Sequence, residues 1–348
     1  MGKTGGFRDI ILIIIKSKLR LQRILRLSRR ILYFCAMFRR IAFLLLLSTQ
    51  GFSQSKINTF LTQDSVYNPL RTKVIAGTVA VSYAGLMVSL DQAWYANYPR
   101  SSFHFFNDIQ EWQQMDKVGH CWSSYIFGVA GIDLMKWAGN RPNVAAIAGG
   151  SLGFLFESTV EILDGFSAGW GFSPPDIVAN TTGALMAISQ QLAWKEQRVM
   201  MKFSFHLENY PTDAQNARSS ELYGRTFIEK LLKDYNGQAY WLSVNVGSFL
   251  PANSWFPKWL CISPGYGAGN MFSAFSNQVT RNGETTTDFN VYPRYRQFYL
   301  SLDVDLRKIK TRSHILKTVF AMVNVLKFPA PTLEFNTLGE IKFHPIYY

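Results

Sequence analysis

Asp116-Lys117-Val118-Gly119-His120 opens the stretch that decides how this chain is read, and Gly171-Phe172-Ser173-Pro174-Pro175-Asp176-Ile177-Val178-Ala179-Asn180 closes it. Between them Glu157, Glu161 and Asp164 stand in an otherwise apolar sequence. Asp116 and His120 are four residues apart, as are Glu157 and Glu161 and also Asp176 and Asn180. Asp164 lies seven past Glu157. Residues three, four or seven apart share a helix face, so three successive helices would each carry one polar stripe on an apolar body. Carboxylates and an imidazole facing apolar surroundings are costly unless they meet one another. The expected arrangement therefore turns the three stripes towards a common centre.

Four helices are expected here, over about 74–90, 116–137, 143–163 and 175–195. The break at Gly139–Pro142 combines Gly and Asn with a Pro, and Pro175 suits a first turn. The small residues Ala145, Ala146, Gly149, Gly150 and Gly153 permit close helix contacts. Segment 74–90 is uncharged and at the lower edge of a membrane-spanning length. Two pictures compete, a bundle that crosses a membrane several times and a compact bundle docked on one; the first is preferred. After Lys195 the pattern changes. Residues 199–207, 239–249 and 297–306 alternate as strands do, Asn236-Gly237 signals a turn, and 333–343 suits a last strand. The fold class expected is mainly α: a membrane-associated helical bundle over 55–200, followed by a smaller α+β region with antiparallel strands over 201–348.

Composition agrees with a membrane-associated protein, at 48% apolar and 17% charged residues. The net charge of +13 is largely local. Residues 1–40 hold eleven Lys/Arg against the single acid Asp9, a net of +10, and no nucleic-acid-binding motif follows. Arg39-Arg40, the apolar run Ile41 to Leu47 and a small, polar exit to Gln54 read as a secretory signal peptide over 37–54. Residues 1–36 then form a basic leader, with translation expected to begin at Met37; the alternative is a basic amphipathic helix on a membrane surface. Cys35, Cys121 and Cys261 make neither a disulfide framework nor a metal cluster, and Cys35 follows Phe34 rather than the small residue a lipid-attachment site needs.

The motif Asp-Lys-x-x-His, an acid on the next helix, then Gly-Phe-Ser-x-x-Asp-x-x-Ala-Asn-x-x-Gly resembles the YfiM-like family of predicted periplasmic lipoproteins. It is more distantly similar to VanZ-like membrane proteins. The matching positions are Asp116, Lys117, His120, Glu157, Asp176, Asn180 and Gly183. Lys233-Asp234-Tyr235-Asn236-Gly237-Gln238 and Tyr240-Trp241-Leu242-Ser243 extend the first resemblance. It implies an envelope location and no established activity.

On the residues alone, Asp116, His120, Glu157 and Asp176 are the candidate catalytic set, as acid–base partners. Lys117, Glu161, Asp164 and Asn180 are the candidate substrate-binding set. A divalent metal is weighed against the single His, which leaves cofactor and metal unassigned. The expected partner is a membrane lipid or envelope precursor, not nucleic acid. The competing readings are a buried network that holds helices in register, with Asp116 and Asp176 as helix caps, and an envelope scaffold whose C-terminal region binds a partner. No Walker loop or His-Glu-x-x-His is present.

Overall fold

The computed structural model describes residues 54–91, 98–281 and 284–348. The expectations for the leader and for the signal peptide up to residue 53 lie outside them. The chain divides into two units, Met1–Phe60 and Leu61–Tyr348. Of the first, only residues 54–60, which belong to helix α1 (Gln54–Leu61), are described.

Four helices open the second unit: α2 (Pro69–Leu90), α3 (Met115–Trp137), α4 (Pro142–Asp164, with a π turn at Ala145–Gly149) and α5 (Pro174–Trp194). Only α3, α4 and α5 form a close-packed trio. Their approach depends on missing side chains. A Cβ on Gly183 of α5 would lie 2.1 Å from the Cys121 carbonyl oxygen of α3. One on Gly131 of α3 would lie 2.2 Å from the Gly149 carbonyl of α4. Helix α2 is fastened at its start, where the Asn68 amide donates to the Ala138 carbonyl and Arg71 Nη1 to the Trp137 carbonyl. Further along, Tyr83 meets Phe156 edge-on, and only Ile75 of α2 is buried. The expected bundle of about four helices is thus a trio with a fourth appended. Helices α2 and α4 are long and apolar enough to cross a membrane.

The class is α+β, helices first and then strands, and the expected dominance of helices does not hold. Six strands form one antiparallel sheet in the order β1-β2-β3-β6-β7-β8: β1 (Val199–Phe205), β2 (Gln238–Asn245), β3 (Leu260–Gly269), β6 (Tyr295–Val304), β7 (Ala330–Asn336) and β8 (Ile341–Tyr347). A hairpin of β4 (Gln278–Arg281) and β5 (Glu284–Asp288) stands apart. Helices α6 (Asp213–Tyr223) and α7 (Phe227–Lys233) join β1 to β2, and α8 (His314–Val323) joins β6 to β7. The helical spacing of Leu222, Phe227, Leu231 and Leu232 does not make one helix, because the chain is split at Gly224, whose φ is +84°. Thr226 and Glu229 then restart a helix with a reciprocal capping box. The Gly-rich run 265–269 is part of β3. The single last strand expected at 333–343 is two strands, reversed at Gly339 with φ +83°.

The sheet is strongly curled. Lys202 Nζ of β1 lies 3.0 Å from Asp303 Oδ2 of β6, and Trp241 of β2 lies 5.8 Å from Tyr347 of β8. Beyond the β1 edge, Phe203 forms a parallel bridge with Leu326. Alternation along the strands is inverted from the usual soluble pattern. Ser301, Asp303, Thr332 and Glu334 are buried on the concave face, while Leu300, Leu302, Leu333 and Phe335 are exposed on the convex one. Helix α3 covers the β1–β2 end of the convex face, where Met115, Val118 and Trp122 pack against Phe203 and Tyr240. Helix α5 hands over to β1 through buried Gln190, whose Oε1 accepts from the Arg198 and Val199 amides at 2.9 and 2.8 Å.

Candidate functional site

The three polar stripes meet. Asp116, Lys117 and His120 come from the first turns of α3, Glu157 and Glu161 from the second half of α4, and Asp176 and Asn180 from the first turns of α5. Lys117 Nζ sits among three aspartates, 2.7 Å from Asp108 Oδ2, 2.8 Å from Asp116 Oδ2 and 2.7 Å from Asp176 Oδ1. His120 takes the other side. Its Nδ1 lies 3.1 Å from Asn180 Oδ1 and 3.6 Å from Glu157 Oε2. Its Nε2 lies 3.6 Å from Glu161 Oε1 and 3.9 Å from both Asp116 Oδ1 and Asp176 Oδ1. Asp164 ends α4 one turn past Glu161, acting on that residue through its charge, and its carbonyl accepts from the Ser167 amide.

Neither aspartate caps its helix, contrary to the structural alternative. Gln114 holds the cap position of α3 with no side-chain bond, and Ser173 caps α5, its Oγ accepting from the Asp176 amide at 3.2 Å. Ser173 does more than cap. Its Oγ donates to Asp108 Oδ1 at 2.6 Å and its amide donates to Glu161 Oε2 at 3.1 Å. One short loop thereby joins the Lys117 and His120 halves of the cluster. Asp176 also stands in the first turn of α5, where the helix dipole favours negative charge.

Sequence reading missed Asp108, Ser173 and Tyr235. Tyr235, at the end of the α7 segment, donates to Asp116 Oδ1 at 2.7 Å. Asp108 had no periodic signal, because it precedes the helix in a stretch fixed by bridges from Arg100 to Ser167 and Phe105 to Phe172. Trp112, Gln113 and Gln114 then pass through left-handed backbone conformations, with φ of 49°, 54° and 62°. Such residues are strained and persist where neighbours fix them. Here the Trp112 amide donates to the Ala274 carbonyl, and Tyr266 Oη and Arg296 Nη1 both donate to the Gln113 carbonyl.

The electrostatics are lopsided: two cations face the five carboxylates Asp108, Asp116, Glu157, Glu161 and Asp176. Burial opposes the His120 charge, yet Asp116, Asp176, Glu157 and Glu161 outweigh it and lift the imidazole from 6.5 to about 9. Burial likewise works against the ionised Asp116, but His120 and Lys117 hold that carboxyl below its usual range. Asp176 moves the other way, raised by burial and by the charge of Asp116. The result is a proton donor, His120, beside carboxyls of unlike acidity, the requirement for acid–base chemistry. Asp116, His120 and Asp176 also offer ligand atoms within 4.8 Å of one another. A metal there would compete with the Lys117 ammonium, which already lies on oxygens of both aspartates.

The floor of the cluster is sealed: the side chains of Glu161 and Asp176 are 1% and 3% exposed. His120 and Asp116 are less enclosed, their side chains 16% and 21% exposed. The loops that carry Asp108 and Ser173 bring together Phe103, Phe105, Phe166 and Phe172, with Phe105 meeting Phe172 edge-on at 5.3 Å. Phe103, Phe105 and Phe166 are exposed.

Over residues 104–191 the chain is similar to a family described as "Predicted periplasmic lipoprotein (DUF2279)". That stretch holds all eight expected site residues. The description agrees with the expected resemblance in its predicted-periplasmic-lipoprotein part and with an exported, cell-envelope location; it supports neither the YfiM-like nor the VanZ-like name. No curated protein and no solved structure matches the chain.

Proposed function

We propose that this is a membrane-associated cell-envelope protein whose Asp/Lys/His/Glu cluster is an acid–base pocket for a lipid or cell-wall precursor. The observation that carries the reading is one imidazole, partly exposed, within 3.9 Å of four carboxylates from three helices. His120 is the acid, Asp116 and Glu157 are the acceptors nearest the opening, and Lys117 with Asp176 fixes the floor. Glu161, Asp164 and Asn180 hold His120 in place from behind. The exposed phenylalanines on the loops that carry Asp108 and Ser173 suit an apolar tail, which is the reason to favour a lipid-linked substrate. The test is complementation of a deletion strain with Asp116→Asn, His120→Ala and Glu157→Gln, read by lipid and cell-wall profiling. Each folded variant should fail to restore the wild-type profile. Full restoration by folded variants would refute the proposal.

A second reading rests on a different observation. Tyr235 binds Asp116, and the described cavities, one bounded by Asp64–Pro69 and one by parts of α3, α5 and residues 305–308, lie away from the cluster. In that reading the network clamps the helices to the C-terminal region, which serves as a scaffold for a partner. It expects all three variants to lose stability together.

A further inference from the structure

The convex face of the sheet has a surface that the cluster does not explain. Neighbouring strands line up apolar pairs across it: Ile262 with Leu302, Phe298 with Phe335, Leu300 with Leu333 and Leu333 with Phe343. Each of these residues is at least 39% exposed. Between the Arg296 row and the Val304 row, the convex positions of β3, β6 and β7 carry no charge. The concave face meanwhile holds hydroxyls and charges that satisfy one another, such as Ser243 with Asp303 and Ser301 with Thr332. Polar side chains turned inward and apolar ones outward are the pattern of strands that face hydrocarbon. In water the same surface would be an apolar patch spread over four strands.

One end of this sheet is different. The segments at the start of β1, the start of β3 and the end of β6 carry Lys195, Arg198, Lys258, Arg307, Lys308, Lys310 and Arg312 against Glu196 and Asp305, with Asp133 of α3 pairing Arg307 at 2.8 Å. Trp194, Trp255 and Trp259 are exposed at the same end, Trp255 at 90%. Basic residues attract anionic headgroups, and Trp favours the boundary between apolar and wet layers. A second copy of the chain would match the apolar face but not this excess of positive charge, which would repel its own image. We infer that the convex face of β3, β6, β7 and β8 lies against bilayer hydrocarbon, with its Lys/Arg- and Trp-rich end at an anionic headgroup layer.

The experiment uses the full chain with Cys35→Ser and Cys121→Ala, a nitroxide at Leu300→Cys or at Asp288→Cys, and vesicles of phosphatidylglycerol with phosphatidylethanolamine. Asp288 is exposed on the separate hairpin and serves as the aqueous control. At 300 the label should meet dissolved oxygen and be shielded from a water-soluble nickel chelate, with the reverse at 288. Lys310→Gln combined with Arg312→Gln should weaken binding to these vesicles by roughly 25-fold, at about fivefold per charge, and leave binding to phosphatidylcholine vesicles unchanged. A label at 300 open to the chelate would overturn the inference. So would one shielded from both reagents, which would place another protein surface on this face. Because the label at 300 reports its own surroundings, membrane binding by other parts of the chain cannot imitate the expected result.

Discussion

Lys117 is the residue on which the cluster's balance depends. Removing one partner of a buried charge network leaves the others uncompensated, at a cost of about 3–5 kcal/mol. Lys117→Met should lower unfolding stability by that amount in denaturant titrations, while Lys230→Met, of a lysine at the end of α7, should change it by less than about 0.5 kcal/mol. His120 gives a pH signature with a definite sign. Its pKa is raised on folding, from 6.5 to about 9. Its charge therefore stabilises the fold fully below about pH 6.5, and that contribution fades as pH rises through 9. The loss is at most about 3 kcal/mol. A midpoint of denaturation that falls between pH 6.5 and 9 in the parent, and much less in His120→Gln, is the expected result. Spacing alone made Asp116, His120, Glu157, Glu161, Asp176 and Asn180 legible, because each pair repeats on a helix face. Asp108 and Tyr235 were illegible because loop bridges and a distant helix bring them in, and neither leaves a period in the sequence.

At the scale of elements, the glycines explain why three helices come close enough to share one cluster. Gly183→Leu would drive a side chain into the Cys121 carbonyl and push α3 from α5. A loss of about 3 kcal/mol or more is expected, with His120 displaced from Asn180. Ser173→Ala tests the loop that joins the two halves. It removes a helix cap and the hydrogen bond to Asp108, which predicts a loss of about 1–2 kcal/mol by thermal or chemical unfolding. The ends of α3, α4 and α5 were readable to within a residue or two, since Pro142, Asp164-Gly165 and Pro174-Pro175 punctuate them. The β region was less readable. The alternation of Phe298, Leu300 and Leu302 identifies a strand, but a period of two does not say which face is buried. That choice was made by Ser243, Asp303 and Lys202, which pair with one another across the inside of the curl.

For the whole molecule, helices and sheet form one unit over Leu61–Tyr348, and the cluster lies where they join. Tyr235 reaches Asp116 from the C-terminal half, and Tyr240 stands so close to Gly119 that a Cβ there would lie 2.9 Å from its hydroxyl. Helices expected as one body and strands expected as another are thus tied together at the candidate site. The reason was invisible in composition, because a tyrosine that donates one hydrogen bond looks like any core aromatic. At the centre of the cluster is a positively charged imidazole enclosed by carboxylates from three helices. The direct measurement is the titration of the His120 ring by two-dimensional nitrogen–proton NMR of the intact chain, with His120→Gln used to assign its signals. The expected midpoint is near 9 and falls in Glu157→Gln and in Asp116→Asn. A midpoint at or below 6.5, unmoved by either substitution, would contradict it.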